Sequence, residues 1–387
     1  MRRALALLLL GLLTGCGTYD KVSRYLSGGK DNSEPPSPLV TFQTRINVAE
    51  LWADNVGDGT EKQYLKLAPV IAGQRMFVAD RDGTLSALDA TNGSEIWSKD
   101  TDVPITGGPG FGEDTVLIGT SNGEVLAYSA AKGKLLWRAQ LSSEVLSAPV
   151  RAQGVVVVRT NDGKLFGLEG GTGKRLWNYD RIVPPLTLRG TSTPVISGKA
   201  VIAGFDGGRL AALELSTGRL LWETSIAAAS GRSELERMVD IDSSPVIVDG
   251  VIYVATFQGY VSALQQDTGR IIWSREVSSY AGFSVDGAQL YITDENSHIM
   301  ALDRYTGGTN WIQEKLHARG VTAPEPIGDY IVAGDVEGYL HWMSKADGNF
   351  VARNRLCKKR ILVPPVAAGR VLYAFCSDGD VGAYAFR

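Results

Sequence analysis

The chain has 387 residues, of which 45 are glycine, 8 tryptophan, 3 cysteine and 3 histidine. Its 39 basic and 42 acidic side chains leave a formal charge of −3, and 44% of its residues are hydrophobic. These figures exclude a long disordered chain, a basic nucleic-acid binder, a disulfide-built scaffold and a tetrathiolate zinc site.

The chain opens with Met1-Arg2-Arg3 and a run of ten apolar residues, Ala4 to Leu13 with Gly11 included. That run is too short to span a bilayer and has the size of a signal-peptide core. Leu13-Thr14-Gly15-Cys16 resembles a bacterial lipobox. The resemblance implies a signal peptide over 1–15 and diacylglycerol on the Cys16 thiol, with enough acyl chain for stable anchoring. Gly17 rather than aspartate follows the cysteine, which by the lipoprotein sorting pattern implies the periplasmic face of the outer membrane. Residues 16–45 read as the lipidated cysteine and a flexible tether. Their stretch Ser27-Gly28-Gly29-Lys30-Asp31-Asn32-Ser33-Glu34-Pro35-Pro36-Ser37-Pro38 has no apolar periodicity.

From residue 46 onward the sequence repeats. A Gly-x-x-x-Trp unit occurs at Gly93/Trp97, Gly133/Trp137, Gly173/Trp177, Gly218/Trp222, Gly269/Trp273 and Gly307/Trp311, and Trp52 stands alone 45 residues before Trp97. A second signature precedes each unit: DGTLSALD (82–89), NGEVLAYS (122–129), DGKLFGLE (162–169), GGRLAALE (207–214), QGYVSALQ (258–265), NSHIMALD (296–303), EGYLHWMS (337–344) and DGDVGAYA (378–385). Pro-Val runs such as Ala68-Pro69-Val70-Ile71 open the repeats. Four short β-rich runs separated by turn residues, recurring every 38–51 residues, predict a propeller blade.

Eight signatures need eight fourth strands, but the chain ends at Phe386-Arg387, just after the third strand of repeat eight. The strand around Ile46–Trp52 supplies the missing one and removes an open edge. The predicted fold is all-β: an eight-bladed β-propeller of four-stranded antiparallel blades over 46–387, its ring closed by the N-terminal strand. The expected blades are 67–99, 106–139, 146–179, 192–225, 242–276, 281–313, 320–353, and 361–387 with 46–53. One tryptophan per blade at a fixed offset (Trp52, Trp97, Trp137, Trp177, Trp222, Trp273, Trp311) is expected to fill the space between blades, with its N–H on a backbone partner. Repeat seven has Gly348 but Ala352 in the tryptophan position. Its off-register Trp342 is the one tryptophan that leaves room for a substrate-stacking role.

Catalytic signatures are sparse. Gly119-Thr120-Ser121-Asn122-Gly123 has the spacing of a hydrolase elbow, but the slot is a blade turn and lacks the strand–turn–helix context. His298, His317 and His341 follow no metal motif, and no metal or cofactor site is assigned. After lipidation of Cys16, Cys357 and Cys376 remain; an oxidising compartment favours their pairing over two buried free thiols.

The Ala-Leu-Asp-x-x-Thr-Gly-x-x-x-Trp repeat resembles the quinoprotein alcohol dehydrogenase propellers, which implies pyrroloquinoline quinone, calcium and a catalytic aspartate. The adjacent-cysteine pair of many such enzymes is missing here. From lipobox to eighth repeat, the chain is more similar to the BamB family of outer-membrane-protein assembly lipoproteins. That resemblance implies a non-catalytic scaffold of the β-barrel assembly machinery with no cofactor, bound to the POTRA domains of BamA. It leaves open direct contact with unfolded outer-membrane proteins. Pro184-Pro185-Leu186-Thr187-Leu188-Arg189-Gly190 matches one family segment, with Leu186, Leu188 and Arg189 at the partner-contacting positions. Val239-Asp240-Ile241-Asp242-Ser243-Ser244-Pro245 matches another, with Asp240 and Asp242 as an acidic pair. The two segments join blades three to four and four to five, where the tryptophan intervals lengthen to 45 and 51 residues. Both connections reach one ring face, and Ser230 to Met238 is expected to form a short helix there. The alternatives are a quinone-dependent dehydrogenase-like protein and a glycan- or surface-binding propeller, the latter marked by exposed aromatics across the central funnel.

Overall fold

The computed structural model describes residues 34–60, 63–181, 192–228, 232 and 238–387. Residues 36–387 form one compact unit; residues 34 and 35 belong to a separate unit with 1–33. The described residues contain 32 strands in eight four-stranded antiparallel sheets. Seven sheets take four consecutive strands each, over 70–100, 105–140, 150–180, 195–225, 246–276, 282–313 and 325–355. The eighth takes three strands from 366–386 and its outer strand, Val48–Asn55, from the N-terminal side; Val48 pairs with Phe386 and Asn55 with Asp380. The ring therefore closes by the N-terminal strand, as expected.

Burial on two sides explains the composition of the middle strands. In blade one, Arg75–Ala79 and Thr84–Asp89 bury consecutive residues, because each blade packs between two neighbours. The rim strand Glu95–Asp100 fully buries only Trp97. In every blade the rim strand shifts register by one residue just before the tryptophan position. The bulged residue is an exposed Ile96, Leu136, Leu176, Leu221 or Ile272 in blades one to five. A bulge twists an edge strand away from the flat geometry that invites further pairing, so all eight rims are blunted.

The Gly-x-x-x-Trp unit holds both halves of a joint. Trp97 Nε1 donates to the carbonyl of Ala130 in blade two at 3.0 Å. Gly133 of blade two lies against the same indole, where a Cβ would come within 2.6 Å of the ring. The same hydrogen bond recurs from Trp52 to Ala90, Trp137 to Gly170, Trp177 to Leu215, Trp222 to Gln266, Trp273 to Arg304 and Trp311 to Lys345. Each tryptophan thus docks on the next blade, and the glycine four residues before it receives the tryptophan of the preceding one.

The joint between blades seven and eight is built differently. Ala352 stands in the tryptophan position and Val48 in the position of the receiving glycine. Trp342 lies directly opposite Ala352 on the neighbouring strand, fully buried, 6.0 Å from the ring of Phe386 in blade eight. In the other blades the residue opposite the tryptophan is alanine or glycine, as in Ala87, Gly167 and Ala383. Large and small residues have exchanged strands, so Trp342 is a core residue and the stacking role offered by the sequence is withdrawn.

Residues 36–45, read from the sequence as tether, instead lie along blade seven. Ser37 N donates to His317 O at 3.1 Å, Arg319 to Ser37 O at 2.7 Å, Arg353 to Val40 O at 3.1 Å and Arg45 N to Val351 O at 2.8 Å. The Arg353 guanidinium covers the ring of Phe42, which stacks on Phe350. Ser121 sits in the turn between strands Thr115–Thr120 and Glu124–Ser129. Cys357 and Cys376 form a disulfide that ties the connection between blades seven and eight to blade eight.

Candidate partner-binding face

In a four-stranded meander the connections between blades and the turns between second and third strands share one face, called upper here. The connections between blades three and four, 181–194, and between blades four and five, 226–245, begin and end on it. Leu186, Leu188 and Arg189 fall outside the described residues, as does most of the expected helix at 230–238. The structure brings Asp240 and Asp242 to the base of the second connection, and both are buried: 1% and 5% exposed.

Beneath the two connections runs a polar seam across blades three, four and five. Arg159, fully buried at the end of strand Val155–Arg159, pairs with Asp206 at 2.8 Å. Its guanidinium stacks over Phe205 at 5.4 Å and lies 3.5 Å from the hydroxyl of Ser192, where the first connection returns to the ring. Asp240 Oδ1 accepts the N–H of Gly207 at 3.1 Å, and its carbonyl accepts the N–H of Phe257 at 2.9 Å. One aspartate thus fastens the second connection to turns of blades four and five. Ile226 and Ile241 anchor the same connection in apolar core. Sequence reasoning missed Arg159, although a signal was present: the same slot holds Ala79, Ala255 and Phe375 in other blades.

Asp242 faces the ring centre. Neither carboxyl oxygen has a hydrogen-bond partner among the described residues. Burial pushes its pKa up to about 7, with Lys66 pulling it down and Asp240 adding to the rise. Lys66 Nζ donates to the carbonyls of Asp242 at 3.3 Å and Tyr280 at 3.4 Å. The lysine is open to the water of the channel but enclosed by protein on every side, and this enclosure holds its ammonium below the usual lysine range.

Above Asp242 and Lys66 the channel widens into an upper-face cavity of about 350 Å³, with Leu146, Phe257, Val336 and Ile361 in its wall. Tyr64 and Tyr280 stand exposed at its rim. The Arg360 guanidinium lies over one face of the Tyr64 ring at 5.0 Å. Among the described residues the one three-residue group with metal-ligating atoms close together is Cys357, Cys376 and Asp378. Its two thiols are consumed by the disulfide.

A closed ring of eight four-stranded antiparallel blades, each with a bulged rim strand, defines an eight-bladed β-propeller. The family model for outer membrane protein assembly factor BamB matches residues 49–106 and 81–313. The BamB of Pseudomonas aeruginosa is 42% identical over 383 residues, covering 99% of this chain and 98% of that one. The crystal structure of BamB from Moraxella catarrhalis superposes with a TM-score of 0.80 at 28% identity, covering 88% of this chain and 100% of that one. The chain belongs to the BamB family of outer membrane protein assembly factors. The quinohemoprotein alcohol dehydrogenase of Comamonas testosteroni has a TM-score of 0.70 at 13% identity, covering 87% of this chain and 76% of that one, and shares the fold alone.

Proposed function

We propose that this chain is a non-catalytic subunit of the outer-membrane β-barrel assembly machinery. In this reading it is held at the periplasmic face of the outer membrane by lipid on Cys16 and binds the POTRA domains of BamA through its two long upper-face connections. Leu186 and Leu188 insert into an apolar groove of the partner while Arg189 makes a charge-assisted contact beside them. Asp240 and Asp242 act from beneath, Asp240 by holding the second connection onto the Gly207 turn. The observation that carries the reading is the near-full-length similarity to assembly factors. The buried seam at the base of these two connections supports the choice of face. An enzymatic role has only fold likeness behind it.

The test is titration of the full chain in detergent with the periplasmic part of BamA. The double variant Leu186→Ala/Leu188→Ala is expected to keep the wild-type melting curve and to bind roughly thirtyfold more weakly or worse. Lys132→Ala, in an exposed turn of the opposite face, is expected to bind normally. A double-leucine variant that binds as the wild type does refutes the site.

A further inference from the structure

The chain has three histidines. His341 is fully buried against Asp335. The other two, 19 residues apart in sequence, meet on the upper face, with His317 Nδ1 3.3 Å from His298 Nε2 and ring centroids 5.3 Å apart. His298 lies in the second-to-third-strand turn of blade six and His317 in the connection leading to blade seven. Asp294 Oδ2 lies 3.0 Å from His298 Nδ1. Asp294 Oδ1 accepts the N–H groups of Asn296 at 2.9 Å and His298 at 2.7 Å, so the turn itself fixes the carboxylate.

We propose that His298 and His317 form a two-histidine site for a borderline divalent transition-metal ion such as zinc, with Asp294 as its positioning residue. Two imidazole nitrogens on one tetrahedral zinc, each about 2.0–2.1 Å from the metal, are about 3.3 Å from each other. The two histidine nitrogens already stand at that separation. With the N–H of His298 Nδ1 on Asp294, His298 Nε2 accepts the N–H of His317 Nδ1, and a metal ion bound by both nitrogens takes the place of that proton, which passes to His317 Nε2 or to solvent. A carboxylate behind a ligating imidazole is the arrangement that orients the ring and raises its basicity. Both histidines are half-buried, and the His298 side chain is 23% exposed, so water has access to complete the coordination sphere. Imidazole ligands favour zinc, copper and nickel over calcium and magnesium, and the site is expected to prefer copper(II) to zinc. His298 lies in a turn within blade six and His317 in the connection that follows that blade, which is why linear spacing concealed the pair. The proposal does not depend on the partner-binding reading.

The experiment uses the full chain in detergent, purified without a polyhistidine tag, treated with chelator and titrated with zinc by calorimetry. One zinc per chain is expected, with no response to calcium or magnesium. His298→Ala and His317→Ala are each expected to abolish binding, and Asp294→Asn to weaken it roughly 10–100-fold. Because Asp294 also ties its turn, His317→Ala, checked by its melting curve, carries the decisive comparison. Absence of saturable zinc binding in the wild type, or undiminished binding in His317→Ala, overturns the proposal.

Discussion

Asp242 places its carboxyl where burial raises the pKa to about 7, against the pull of Lys66. Glu325 is raised to about 7 by burial as well, although it accepts the N–H of Ala367. A carboxyl whose pKa rises on folding favours the native state most when protonated. Its contribution is complete below the unfolded-chain value near 4 and is lost as the pH climbs to about 7. Asp242→Asn removes one such group. The variant is expected to melt above the wild type at about pH 8, by an amount on the order of a few kcal/mol, and close to it at about pH 4. Melting curves across that range check this, and a difference independent of pH refutes it. The same residue shows where sequence reading stopped. Val239-Asp240-Ile241-Asp242 reads in sequence only as a family segment with an acidic pair. Its burial comes from blades three to five meeting at the channel mouth, and Arg159, Gly207 and Lys66 are too far away in sequence for a linear pattern to join them.

Within a blade, recognition between neighbours rests on a large–small pair, tryptophan on the rim strand against alanine or glycine on the third. Blade seven keeps the pair but reverses it. Trp342→Ala is expected to cost about 3–5 kcal/mol, the usual range for deleting a buried aromatic. Adding Ala352→Trp is expected to recover little, because Val48 fills the slot where a glycine receives the indole elsewhere. The triple variant with Val48→Gly is expected to recover more than either double variant. Denaturant melts of the series measure this coupling, and additive effects refute it. The blades were legible because their signals are local: turn glycines, apolar runs and a tryptophan at fixed offset. Eight signatures followed by only seven fourth strands even pointed to the closing strand. The packing of 36–45 on blade seven was not legible, since Phe42 and Val40 are isolated apolar residues in a polar stretch and their partners Phe350 and Arg353 lie some 300 positions away.

For the whole ring, closure joins the two ends of the chain in one sheet. Loss of residues 46–55 opens that sheet and removes Trp52, whose indole reaches Ala90 of blade one. The deletion is expected to lower the melting temperature by more than Trp52→Ala alone, and equal losses contradict the closure role. The docked segment 36–45 acts at the same scale. With the anchor proposed at Cys16, twenty residues, 16–35, separate the lipid from the docked segment in sequence. For any flexible linker of twenty residues the root-mean-square reach is about 25 Å, at about 5–6 Å times the square root of the residue count. A partner in the same membrane then meets the ring at an effective concentration set by that reach, in the millimolar range for short linkers. For a chain anchored as proposed, even a contact too weak to persist in free solution would stay mostly occupied, and each further residue released from blade seven would dilute it.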